Sequence, residues 1–408
     1  MQTTDPVLSL LNELCRVRGY RVDKGGPGER AIAERVADEL RKYPWLTVSV
    51  EEVQDERGVA CPGFYNVLAF DGDPSEVDLL VVGHLDTVTP SPGWTKPEYV
   101  VEDGRYYALG AIDTRGGIAA AIDAIGNVGP TKRVGYLFYG DEEVGFLGMQ
   151  EFVRRHPEIA PKFGLSVCGG GAEAYLGWRG CVEMEFLFEG ISGHASRPWS
   201  GANAAEALAC VMEAVRLACV RNATPMGTAA NVAAVHVGSL DATAMPEGFD
   251  LSRDCPLGKQ QAPSVLNVAN KIPNAGWALL DVRPGGEAVS AAFIERVARE
   301  ALAGWNADRK HAVTLTIHVN FEMPAYLADR ERIDWLFKLF NPVHEGRVSY
   351  PGRTGFVDVT LISGLHGTQF MCLAPAGHNA HAADECVEII SLIAYRDATI
   401  ELLSRYKA

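Results

Sequence analysis

The sequence predicts an α/β fold of two domains, one inserted into the other, and three observations predict it. The chain has 408 residues, more than one ordinary hydrophobic core serves. Short apolar runs alternate with helical periodicity up to about residue 180 and again beyond about 325, as in an α/β sheet with its chemistry at strand ends. Between these halves the pattern changes to β-α-β-β-α-β, the order of a ferredoxin-like unit. The predicted boundaries are 1–179 with 324–408 for the larger domain and 180–323 for the insert.

Helical periodicity opens the chain at 6–17 and returns in "ERAIAERVADELRKY" (29–43). Apolar runs bounded by glycine or charge then read as strands: "FYNVLAF" (64–70), "VDLLVVGHLD" (77–86), "RVGYLFYG" (133–140) and "FGLSVCG" (163–169). Between them "GGIAAAIDAI" (116–125) and "GMQEFVRRH" (148–156) read as helices. In the insert, "CVEMEFLFEG" (181–190) alternates at period two, as a half-exposed strand does. A helix (202–218), strands near 230–238, 265–272 and 277–283, a helix (287–303) and a strand (312–321) follow. Residues 241–263, rich in Pro, Asp and Gly, read as a loop insertion.

The net charge of −15 argues against nucleic acid or an anionic membrane as partner. It does not exclude an anionic substrate, because a local arginine outvotes a distant field. The first residues lack a basic segment followed by an unbroken apolar one, and no run of about 18 apolar residues occurs, so neither a signal peptide nor a membrane span is expected. Nine scattered cysteines without a C-x-x-C pair fit a reducing compartment, and the expected location is cytoplasmic.

Four clusters sit at predicted strand ends or loops. In "GHLDTV", His84 and Asp86 share a strand face, where a carboxylate can orient a metal-binding imidazole; a local His–Asp turn explains the pair equally well. In "LGAIDTRGG", Asp113 precedes glycines and a helix, which also suits an N-cap. In "YGDEEVGFLG", Asp141, Glu142 and Glu143 follow an apolar strand, so burying them requires a proton or a cation. "AGHNAHAADE" adds His378, His381, Asp384 and Glu385, which a polar loop would explain. Together His84, Asp113, Glu143 and His381 make a nitrogen-and-oxygen set suited to Zn²⁺ or Mn²⁺.

"GHLDTV", "GAIDTRGG", "GDEEVGFLG" and "HAADECVEI", in this order, resemble the M20 family of metallopeptidases and aminoacylases, as do "GISGHASRPWSGANAAEAL" and "NKIPNAGWALLDVR" in the insert. The resemblance covers nearly the whole chain. It implies a mixed-sheet, zinc-peptidase-like catalytic domain and a ferredoxin-like lid that is also the dimerisation surface of a homodimer or higher homo-oligomer. His84 would bind a first divalent ion, Asp113 would bridge two, and Glu143 and His381 would bind the second. Asp86 would orient His84, and Glu142 would be the general base that activates a metal-held water and passes the proton to the leaving nitrogen. His194 would help stabilise the oxyanion, while Asn270 and Arg283 would contact a small-molecule substrate, commonly its carboxylate. Arg353 in "PGRTGFVD" departs from a glycine-rich loop of the family and would read a further acidic or polar group.

A second departure bears on the metal. The family places one more carboxylate ligand at a strand end before glycine, and the matching residue here is Cys168, 25 residues after Glu143. Cys168 would be a thiolate ligand, or a non-ligand leaving one ion, or a bystander to Glu173. The implied activity is hydrolysis of a C–N bond, of amide or peptide type, in a small carboxylate-bearing substrate. A single-metal aminohydrolase acting on a carbamoyl, amidino or activated aryl amine group is the alternative, and a non-catalytic binding protein is the rival of a different class.

Overall fold

Six strands organise the larger of two structural units: β1 (Thr47–Gln54), β2 (Ala60–Phe70), β3 (Leu79–His84), β4 (Val134–Tyr139), β5 (Phe163–Ser166) and β6 (Gln369–Cys372). The structure, a computed structural model, describes residues 5–169, 172–240, 265–266, 269–349 and 355–408. The larger unit comprises Met1–Gly177, Leu327–Pro351 and Asp358–Ala408, and the smaller one Trp178–Tyr326 and Gly352–Val357.

The sheet order is β1-β2-β4-β3-β5-β6. β4, β3, β5 and β6 are parallel, whereas β2 and β1 are added antiparallel, so the sheet is mixed. Every residue of β3 and β4 is buried, which is why both read as unbroken apolar runs rather than as alternations. β1 is not among the expected strands. It lies at the sheet edge and only its Val53 is buried, so its apolar residues give a weak pattern.

Helix Gly116–Val128 packs against helix Ile389–Ser404, while Arg30–Arg41 and Leu147–Arg155 lie against β1 and β2. Close approach to the end of β5 depends on Gly117, where an added Cβ would stand 2.5 Å from the Val167 carbonyl oxygen. The same carbonyl accepts a 2.6 Å bond from Thr114 Oγ1. The end of β5, and with it Cys168, is thereby pinned beside the loop that carries Asp113.

The smaller unit runs strand Cys181–Glu189, helix Ala204–Arg221, strands Ala229–Leu240 and Ala275–Arg283, helix Ala291–Asn306 and strand Thr314–Met323. Its antiparallel sheet places Ala275–Arg283 beside Ala229–Leu240, then Cys181–Glu189, then Thr314–Met323. Met184, Phe186 and Phe188 face a core shared with Leu208, Val211, Val215 and Ile294, but Glu185 and Leu187 between them are buried too, so the strand expected to be half-exposed is largely buried on both faces. Asn203 and Ser290 cap the two helices through their side chains.

Of the strand expected at 265–272, the described residues pair at Val265–Leu266, and Lys271 makes an isolated bridge with His194 before Pro273, which lacks an N–H; residues 267–268 lie outside the described residues. The expected loop at 241–263 lies outside the described residues.

Candidate metal centre

Parallel strands bring their carboxyl ends to one edge of a sheet, and the chain places its reactive side chains there. His84 closes β3, opposite Tyr139 at the end of β4. Asp141, Glu142 and Glu143 follow one glycine after Tyr139, and Cys168 lies two residues past β5. Asp113 sits in the irregular turn Ala111–Arg115 with φ −121° and ψ 85°, before a cis peptide bond to Thr114. No side chain caps the helix that follows, so the N-cap reading of Asp113 does not hold.

Its carboxylate faces two imidazoles instead. His84 Nε2 lies 3.0 Å from Asp113 Oδ1, and His381 Nε2 lies 3.0 Å from Oδ2 and 3.1 Å from Glu143 Oε2. On the other side of His84, Nδ1 is 3.1 Å from the Asp86 carbonyl oxygen and 3.4 Å from Asp86 Oδ1. The Asp86 carboxylate also accepts the backbone N–H groups of Glu142 and Glu143, at 3.1 and 3.0 Å. One buried carboxylate therefore touches the histidine and both glutamate backbones.

The electrostatics follow from this crowding. Burial raises the Asp113 carboxyl, but His381 and His84 outweigh it and hold it well below the usual carboxylate range. His381 is pushed up to about 10 by its bonds to Asp113 and Glu143. Glu142 is driven well above the usual range by desolvation, opposed by His84 and reinforced by Asp358, Asp113 and Asp86. Burial also raises the half-buried Cys168 thiol, against a hydrogen bond and attraction from His84.

These donors fit a divalent cation. The ligand atoms of His84, Glu142 and Glu143 lie within 4.8 Å of one another, and so do those of Asp113, Glu143 and His381. Glu143 Oε1 is buried with no hydrogen-bond partner among the described residues, and three neighbouring carboxylates repel one another unless a cation stands between them. Cys168 belongs to neither group among the described residues, nor does Glu173, which is exposed.

Four further residues, Tyr139, Asp358, Arg115 and Glu385, act in this region, and sequence reasoning gives them no role. Tyr139 donates a 2.8 Å bond to Asp358 Oδ1, while Asp358 Oδ2 is buried without a partner among the described residues; burial foremost pushes Asp358 up to about 7. Arg115, also buried, donates to the carbonyls of Leu14, Val17 and, at 3.1 Å, Leu85 between His84 and Asp86. Glu385 accepts from the Asp113 loop. Its place in "HAADE" is the only local signal for it.

The other expected residues fall in the smaller unit or outside the described residues. His194, Asn270 and Arg283 belong to the smaller unit. His194 is exposed and its Nδ1 accepts from Ser196 N at 3.2 Å; Asn270 is exposed and its carbonyl accepts from Ala195 N at 2.9 Å. Arg283 pairs with Asp281 at 3.1 Å and lies over the Phe356 ring at 5.2 Å. Arg353 lies outside the described residues.

The sequence profile of peptidase family M20/M25/M40 matches residues 80–405. A succinyl-diaminopimelate desuccinylase from Acidiphilium cryptum is 24% identical across 99% of each chain. An acetylornithine deacetylase from Pasteurella multocida is 33% identical over 35% of this chain and 38% of its own, and an uncharacterized metallohydrolase from Methanocaldococcus jannaschii is 25% identical over 50% and 54%. The chain thus spans about half the length, or less, of several curated relatives it matches. In fold it is similar to a tripeptidase from Staphylococcus aureus, with a TM-score of 0.68 at 17% identity over 98% of each chain. It is also similar to an M20 family metallo-carboxypeptidase from Sulfolobus solfataricus, with a TM-score of 0.66 at 16% identity over 99% and 100%. Because the profile runs through most of the sequence, the chain belongs to peptidase family M20/M25/M40.

Proposed function

We propose that the protein cleaves an amide- or peptide-type C–N bond of a small carboxylate-bearing substrate, with Glu142 as general base. The observation that carries this reading is the position of Glu142. Its backbone is tied to Asp86, its carboxylate neighbours His84 and Glu143, and desolvation raises its affinity for a proton. A carboxylate so tuned takes a proton from an attacking water and returns it to the leaving nitrogen.

His84, Asp113, Glu143 and His381 would hold the divalent ion or ions, Zn²⁺ or Mn²⁺, with Cys168 beside His84. Such an ion supplies Lewis-acid polarisation of a carbonyl and acidifies water. Asp86 orients His84 and the two glutamates, and Asp113 keeps both imidazoles turned inward. His194 serves the oxyanion, and Asn270, Arg283 and Arg353 grip the substrate, a guanidinium being built for a carboxylate. The smaller unit is a ferredoxin-like lid and the surface of a homodimer in the cytoplasm. Among the described residues no helix is long and apolar enough to cross a membrane.

The names of the relatives support an N-acyl amino acid or a short peptide as substrate. Amine release from a panel of N-acyl amino acids, dipeptides, carbamoyl compounds and aryl amines tests this. At least one of the first two classes should be turned over, chelation should abolish turnover, and Zn²⁺ or Mn²⁺ should restore it.

Cys168 favours a second reading, a single-metal aminohydrolase of a carbamoyl, amidino or aryl amine group, since it stands outside both ligand groups. Turnover confined to the latter two classes of the panel would decide for it. Elemental analysis separates the metal contents: near two ions per chain if Cys168 completes a first site, near one otherwise. Cys168→Asp should raise the occupancy of the weaker site, and unchanged occupancy would remove position 168 from the ligand shell.

A further inference from the structure

Glu385 is 1% exposed and four residues past His381, and its carboxylate meets backbone N–H groups of the Asp113 loop. Its Oε2 accepts the N–H of Gly110 at 2.9 Å, and Oε1 accepts those of Ile112 and Asp113 at 3.1 and 3.3 Å. These three donors are available because the turn is irregular: Gly110 has φ +80°, and Asp113 and Thr114 depart from helical dihedrals. Buried N–H groups need an acceptor, and Glu385 supplies it for all three.

The segment carrying Glu385 is itself strapped down. The Glu385 carbonyl accepts from Ala108 N at 3.1 Å, and Cys386 pairs with Tyr107. Asp384 accepts the N–H groups of Thr95 and Lys96 at 2.7 and 2.8 Å, and Ser91 Oγ donates to the His381 carbonyl at 3.1 Å. One stretch of five residues, His381 to Glu385, thus meets Asp113 twice. His381 addresses its carboxylate and Glu385 addresses its backbone.

We infer that Glu385 is a positioning residue for the metal centre, holding the Asp113 loop in register with His381 so that both present their donors to the same ion. The inference rests on the metal-centre reading given above. Glu385→Gln is nearly isosteric but replaces one acceptor oxygen with an amide, which confronts either Gly110 N–H or the Ile112 and Asp113 pair with a second donor.

The test is calorimetric titration of chelator-stripped protein with Zn²⁺, together with the visible spectrum of the Co²⁺-loaded form. E385Q is expected to bind Zn²⁺ about 10- to 100-fold more weakly, the usual effect of losing a partner that orients a ligand, and to shift the Co²⁺ bands. Leu402→Ala, a buried residue of helix Ile389–Ser404, provides the comparison, losing stability while its folded form keeps the wild-type Kd. An unchanged Kd and Co²⁺ spectrum in E385Q overturns the inference, as does an equal loss of affinity in L402A. Should E385Q not fold, Glu385→Asp, which keeps the charge but shortens the reach by one methylene, is read in the same way. Failure of the wild-type protein to bind Zn²⁺ defeats the metal centre itself, and the positioning role with it; tight wild-type binding with an unaffected variant defeats the positioning role alone.

Discussion

Glu142→Gln is expected to lower kcat by about 10³-fold, within the 10²–10⁴ range of a general base, with metal content and fold unchanged. Glutamine matches the shape of glutamate but accepts no proton from water, so the variant keeps the site's geometry and loses its base. A thousandfold loss corresponds to roughly 4 kcal/mol of transition-state stabilisation. The pH profile gives an independent check. A base works only when ionised, and desolvation together with Asp358, Asp113 and Asp86 raises Glu142 above the ordinary carboxylate value of 4.5, against His84. The wild-type rate should fall as the pH drops through that raised pKa, and the residual rate of E142Q should lack this acidic limb. Near-normal turnover by E142Q with full metal content would exclude Glu142 as the base.

The second large effect belongs to Asp113. Asp113→Asn should weaken Zn²⁺ binding by more than about 100-fold, beyond the 10- to 100-fold typical of an outer partner, and elemental analysis should find the purified variant largely metal-free. The carboxylate offers one oxygen to each imidazole nitrogen, at 3.0 Å on both sides; the amide offers one oxygen and one N–H₂. Imidazole titration by NMR on metal-free protein reports the same change. His381 stands at about 10 because its protonated form is bonded first by Asp113 and then by Glu143. Since the folded-state pKa is raised, protonated His381 contributes stability below the unfolded value of 6.5 and loses it as the pH climbs towards 10. In D113N the His381 pKa should fall, while Glu143 keeps it above 6.5. Metal retention equal to wild type would show that Asp113 is not a ligand.

Much of the larger unit was legible because its central strands are buried on both faces. β3 and β4 read as continuous apolar runs, and polar groups directly after such runs are costly without partners. That cost is what marked Asp141, Glu142 and Glu143, whereas His84 and Asp86 were marked by a spacing that puts both on one strand face. β1 escaped notice because an edge strand with one buried residue carries little periodic signal. Asp358, and the role though not the presence of Glu385, escaped for another reason. Asp358 meets Tyr139 across 219 residues of sequence, and Glu385 meets the Asp113 loop across 272 to 275. No local pattern announces a partner at that separation.

Residue order, with the family resemblance it carries, pointed to a candidate donor set: imidazoles and carboxylates at strand ends and loops, and a thiol where the resemblance implies a further carboxylate. Only the tertiary structure decided how the acids are divided. Asp113 and Glu143 face imidazole, Asp86 is shared between His84 and two backbone N–H groups, Glu385 is spent on backbone N–H groups alone, and Cys168 stands beside His84 but outside both ligand groups. The reason is physical. A carboxylate binds whichever donor comes within about 3 Å of it, and in this chain those donors arrive on segments that only folding brings together.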